Sequence, residues 1–157
     1  MAVGHGSGVG LSVDWLGIKE FQHAVEKATR KIDAETRLTV ATLSSMLIKD
    51  AMANFEGAHK KNEPHVGGSK PNIVTGTLRR SIRHDGINRV GFGIYTTTVG
   101  PSTEYGRRVE MGFKGTDSMG RTFAQPAYPY FGPAVRNTRV AAAALAAKSF
   151  SPTNIFT

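Results

Sequence analysis

Residues 14–57, DWLGIKEFQHAVEKATRKIDAETRLTVATLSSMLIKDAMANFEG, decide how the chain folds. Within them Phe21, Val25, Ala28, Ile32, Thr36, Val40, Leu43, Leu47, Ala51 and Phe55 recur every three or four positions, the stripe of an amphipathic helix with its charges on the opposite side. Asp14 is the expected N-cap and Gly57 the expected stop. At about 1.5 Å per residue such a helix runs to roughly 60 Å, longer than a domain of this size is wide. It therefore either breaks, with Asp33 to Thr36 the expected place, or projects toward another subunit, while most of the stripe forms core.

Upstream, Gly4, Gly6, Gly8 and Gly10 alternate with small or polar residues, so residues 1–14 read as a flexible arm with little to bury. No strand precedes these glycines and no Gly-Lys-Ser/Thr follows, which sets a phosphate-binding loop aside. Downstream, residues 57–73 read as a long exposed loop, mobile until a partner orders it. Its His59 and His65 lack a third ligand at a fitting spacing, so they read as solvated rather than metal-binding. Thr75-Gly-Thr-Leu-Arg-Arg-Ser-Ile82 predicts a short helical turn capped by a Thr hydroxyl, with Leu78 and Ile82 on one face and Arg79 and Arg80 projecting elsewhere.

Past the Asp85-Gly86 turn, residues 90–99 alternate with period two as one strand, ended by Gly100-Pro101. Leu78, Ile82, Phe92 and Ile94 are the expected core. Residues 104–112 predict a short helix, and 113–125 a second glycine-containing loop or a mobile hairpin. Pro126 to Pro133 form a rigid aromatic lead into a helix from Ala134 to Lys148. The Ile155-Phe156 pair has no local pattern to bury it, so the tail is expected to fray or to dock on a neighbour. The sum is an α+β fold with a long N-terminal helix, a small antiparallel sheet and a C-terminal helix. It forms a single domain at 15–148 between an arm, 1–14, and a tail, 149–157.

Composition limits the chemistry. With 157 residues, 39% hydrophobic and 20% charged, the chain reads as one soluble globular domain. The absence of cysteine excludes a disulfide scaffold, a thiolate zinc site and a Cys nucleophile, and suits a reducing compartment. The N-terminus lacks a basic region followed by an apolar one, and no run of about 18 apolar residues occurs, so neither secretion nor membrane insertion is expected. The histidines at 5, 23, 59, 65 and 84 stand without a recognisable acid–nucleophile arrangement. No catalytic residue, metal or cofactor is expected, and the chain reads as something other than an enzyme.

The net charge of +8 is unevenly placed. Up to Leu78 there are 9 Lys and Arg against 8 Asp and Glu; beyond it there are 11 against 4, and nine of the eleven are arginine. Arginine's planar fork suits carboxylate or phosphate, so an acidic macromolecular partner is expected. One form of that partner is nucleic acid, with Tyr95, Tyr105, Tyr128 and Tyr130 as stacking candidates, although no recognised nucleic-acid motif is present.

Four stretches carry a resemblance: Thr75 to Ile82, Val99-Gly100, Tyr105 to Gly112 (YGRRVEMG), and Gln125 to Ala134 (QPAYPYFGPA). In this order after a long helix, they resemble the tail-completion, or neck-type minor tail-component, proteins of long-tailed bacteriophages. The likeness spans most of residues 15–148. The chain departs from the usual pattern at Gly106-Arg107-Arg108, where the family tends to have Ala and a small or aromatic residue, and in its glycine-rich arm.

The resemblance implies an α+β virion protein forming a homo-oligomeric ring, commonly of six subunits, at the head-proximal end of the tail. Its neighbours would be the tail tube or tail terminator protein and the head-closure protein. DNA would pass through the lumen without specific binding, and assembly would take place in the host cytoplasm. Candidate subunit contacts on this reading are Arg79, Arg80, Arg107, Arg108, Tyr128, Tyr130 and Phe131. The arginines are expected to meet acidic neighbours rather than DNA, because lumen walls that grip DNA would hinder its exit.

Overall fold

The computed structural model describes residues 17–58 and 66–156, so the arm, Asp14, His59 and His65 lie outside the described residues. The fold is α+β. A helix α1, Ile18–Ala53, runs 36 residues without interruption. The expected break at Asp33 to Thr36 does not occur: no Gly or Pro stands in the helix to interrupt it. Thr36 Oγ1 donates back to the Ile32 carbonyl at 2.8 Å, and Asp33 turns its carboxylate outward to a hairpin. Gly17 in the left-handed region is the N-cap. The helix also stops before Gly57: Asn54 is the C-cap, and its Nδ2 donates to the Tyr130 carbonyl at 2.8 Å.

After α1 the chain builds four two-stranded sheets. β1 (Glu56–Ala58) pairs with β2 (Asn72–Ile73) in parallel, so the expected long loop returns to its own start, and one sheet departs from the antiparallel expectation. α2 (Thr77–Ser81) has Gly76 as its N-cap residue, and the Thr75 hydroxyl one position earlier meets its start as expected, accepting the Thr77 amide at 3.4 Å and bonding the Thr77 hydroxyl at 2.9 Å. β3 (Ile82–His84) is antiparallel to β6 (Val99–Pro101), with Arg83 opposite Gly100.

The expected single strand over 90–99 is instead a hairpin, β4 (Asn88–Gly91) and β5 (Ile94–Thr96), turning at Phe92-Gly93, followed by β6. Gly93 takes φ 63, which an L side chain rarely adopts, and this turn splits the alternating run.

α3 (Gly106–Met111) follows, then the hairpin β7 (Phe113–Thr116) and β8 (Thr122–Gln125), whose tip is tied by Asp117 to the Met119 and Arg121 amides at 2.9 Å each. α4 (Phe131–Ser149) packs on α1, with Pro133 in its first turn as expected. α5 (Pro152–Phe156) then folds onto α1 and α4 and buries Ile155, so the tail's isoleucine docks on its own chain rather than fraying. Asn154 Nδ2 holds that turn by donating to the Ser149 carbonyl at 2.7 Å.

The core lies where the C-terminal half of α1 meets α2, β3 and the start of α4. It consists of Ala51, Leu78, Ile82, Tyr130 and Ala134, surrounded by Leu47, Ile48, Met52, Phe55, Val109 and Phe131. Leu78 and Ile82 are core as expected. Phe92 and Ile94 are not: they are 57% and 58% exposed, because the hairpin rests on α1 through polar bonds at its turn and leaves its apolar side chains outside. The start of the helical stripe is likewise wet, with Phe21 at 68% and Val25 at 46%.

Candidate subunit-contact surface

Two of the quoted stretches, Tyr105 to Gly112 and Gln125 to Ala134, meet at Glu110. Its Oε2 accepts the Tyr130 and Phe131 amides and its Oε1 the Gly132 amide, all at 2.8 Å. These are donors that a helix cannot satisfy internally, and a carboxylate is the group that the positive end of the α4 dipole favours. Tyr130 stands at the N-cap, but its ring turns inward to lie 5.0 Å from Phe55, and its hydroxyl donates to the Gly106 carbonyl at 3.3 Å. Gly106 is needed for that approach, since a Cβ there would sit 2.6 Å from Pro101 and 3.1 Å from the Tyr130 hydroxyl oxygen. Gly112, at φ 76, lets β7 leave α3 beneath the Gln125–Ala127 backbone.

This joint corrects one expected contact: Tyr130 is 1% exposed, so it builds the fold and presents no surface to a neighbour, whereas Phe131 is half-buried and packs against the core cluster with part of its surface. Tyr128 is half-buried, and its amide donates to the Val109 carbonyl at 2.7 Å. Of the four tyrosines named as stacking candidates only Tyr105 is exposed, Tyr130 is buried, and Tyr95 donates its hydroxyl to Asp33 at 2.8 Å.

The four arginines are exposed, in two pairs. Arg79 and Arg80 project from α2, where Arg79 Nε donates to the Met52 carbonyl at 3.0 Å and an Arg80 terminal nitrogen to the Thr75 carbonyl at 3.0 Å. Arg107 and Arg108 lie on α3, with the Arg108 guanidinium 4.6 Å above the Phe113 ring. Ion pairs among the described residues include Arg30–Glu26, Arg89–Asp33 and Arg121–Asp117, and none of these four arginines is seen in one there.

Sequence reasoning missed Asp33, which reads as one more charge on the polar side of α1. It accepts the Gly93 amide at 2.9 Å, the Tyr95 hydroxyl at 2.8 Å and Arg89 at 3.2 Å, and so fastens the β4–β5 hairpin to the helix. The Gly93 amide is the main reason its carboxyl lies below the usual carboxylate value, with the Tyr95 hydroxyl next. The Asp33 carboxylate in turn pushes the Tyr95 phenol up. No local signal marks Asp33, because its partners lie some 60 residues away in sequence.

Among the described residues no group of three His, Asp or Glu is placed to hold a metal ion, and no helix is long and apolar enough to cross a membrane. Compared with family models, with curated proteins and with solved structures, the chain finds no match in any of the three. What stands is an α+β domain with a small core, interlocked motifs and a wide, arginine-rich, apolar-studded exterior.

Proposed function

We propose that the chain is a structural, non-catalytic subunit of a bacteriophage neck: a tail-completion component that forms a ring, commonly of six copies, between the tail tube or terminator and the head-closure protein. It needs no cofactor, assembles in the host cytoplasm and ends in the virion, with DNA passing through its lumen without specific binding. The observation that carries this reading is the apolar surface left on projecting elements. Ile18, Phe21 and Val25 at the start of α1, and Val90, Phe92 and Ile94 on the β4–β5 hairpin, are exposed although each is large and apolar. Wet surface of this kind marks an interface that another subunit covers. The resemblance of the four stretches supplies the kind of assembly.

Sedimentation velocity on the purified chain, with negative-stain imaging, tests the reading: discrete rings are expected, and Phe21→Asp with Val25→Asp should return them to monomers. A chain that stays monomeric at every concentration and binds duplex DNA with a steep loss in salt would overturn it in favour of a basic nucleic-acid-binding protein.

A further inference from the structure

Along the last turns of α1, on its side facing α2 and β3, runs an open groove of about 560 Å³ lined by Ser45, Ile48, Lys49, Met52, Ala53, Arg79 and His84. We propose that this groove is a docking site for an acidic, amphipathic segment of a partner protein of different sequence. The inference goes beyond the neck reading and stands whether or not the chain forms rings.

The lining divides into two chemistries. Ile48, Met52 and Ala53 give an apolar floor, while Lys49, Arg79 and His84 give donors around it, and no carboxylate lines the groove. Arg79 is held in place by its Nε bond to the Met52 carbonyl, which leaves its terminal nitrogens for an incoming acceptor. His84 is oriented too: its Nδ1 accepts the Gly86 amide at 3.0 Å, so the neutral ring carries its proton on Nε2 as a further donor. Fixed donors above an apolar floor match a segment that alternates carboxylates with aliphatic side chains at helical spacing.

Charge selects the source of that segment. At this groove, where the charged lining residues are the cations Lys49 and Arg79, a second copy would have to present an acidic face, and a chain of net charge +8 has few carboxylates from which to form one. Nor do the described residues offer an acidic face: on α1, Glu20, Glu26, Glu35 and Asp50 each stand within two positions of a Lys or Arg, and Glu56 and Glu104 stand singly. Nucleic acid fits less well, since a phosphate backbone makes no use of the floor and no Phe, Tyr or Trp lines the groove for a base to stack on.

Fluorescence anisotropy on the full chain tests the proposal with a labelled twelve-residue peptide of Glu and Leu at helical spacing. The comparison probes are its Glu→Gln version, an oligoglutamate of equal length, and a single-stranded DNA of equal charge. The Glu–Leu peptide should bind best, and Lys49→Glu and Ala53→Glu should each weaken it about tenfold or more. Arg139→Glu, on α4 and outside the groove, should change it by less than about twofold. Circular dichroism confirms that each variant keeps its helices. The proposal is overturned if the Glu–Leu peptide does not bind, or if the Gln version or oligoglutamate binds equally well. It is also overturned if Arg139→Glu weakens binding as much as Lys49→Glu, or if DNA binds more tightly and is lost in the same variants.

Discussion

Replacing Tyr130 by phenylalanine removes one oxygen and with it the bond to the Gly106 carbonyl at 3.3 Å. That carbonyl, on a buried glycine, loses its hydroxyl partner, so the change should cost about 1–2 kcal/mol in urea unfolding, although the ring stays in place. The same substitution alters the pH dependence. Burial first, and then the nearby Glu110 carboxylate, push the phenol up from a tyrosine's ordinary 10.0 to about 12. A group held protonated in the fold stabilises it fully below the unfolded value, and that contribution drains away as pH rises from about 10 to about 12. The urea midpoint of the native chain should therefore fall over this window, and fall less in Tyr130→Phe; parallel curves would place the phenol in water. Glu110 acts from the other side of the same joint. Glu110→Ala strands three amides at the start of α4 and should cost about 2 kcal/mol, whereas Glu110→Gln, which keeps acceptor capacity without the charge, should lose about half of that.

Among the elements, the β4–β5 hairpin separates two roles that a strand's alternation merges. One set of its groups, the Gly93 amide, the Tyr95 hydroxyl and Arg89, turns to Asp33, and the apolar set turns away. Phe92→Ala removes a ring that is already 57% exposed, so thermal unfolding should register less than about 1 kcal/mol, against the 3–5 kcal/mol typical of a buried phenylalanine. A loss in the larger range would put the ring in the core after all. On the assembly reading the same variant should weaken oligomers, because the ring is one of the surfaces a neighbour covers. α1 works by the same division. Its C-terminal half supplies Leu47, Ile48, Ala51 and Met52 to the core, while every residue from Gly17 to Lys27 is exposed. On the assembly reading, the exposed end of this helix is a surface that another chain covers.

For the molecule as a whole, the question is what the excess positive charge is for. Arg79, Arg80, Arg107 and Arg108 lie on the surface, and reversing all four to glutamate should leave the fold intact, with a loss of roughly 0–1 kcal/mol per site. Arg79 and Arg80 fall at the upper end of that range, since each also holds a backbone carbonyl. Assembly should suffer instead: on the neck reading, phage carrying the quadruple variant should accumulate filled heads and separate tails that fail to join. Joined virions at normal yield would remove these arginines from the subunit contacts, while the apolar surfaces of α1 and the hairpin would keep their own test.

The sequence alone determined the elements whose signals are local. The stripe of α1 is legible because a helix repeats every 3.6 residues, and Leu78 and Ile82 are legible because their i, i+4 spacing puts them on one face. Pro133 and the alanine run announce α4 for the same kind of reason. Only the tertiary structure decided the rest, because it rests on pairings between distant residues. Periodicity says that residues 90–99 are extended, but the place where they turn depended on Asp33 lying ready for the Gly93 amide. The Tyr-Pro-Tyr-Phe block reads as a packed corner from its residues and as a subunit contact from the resemblance; what decides for Tyr130 is Glu110, some 20 residues away, which draws the amides in while the ring enters the core. Composition could count the arginines, but the surface each one shares was set by packing, because a groove is made by residues that meet only when the chain has folded.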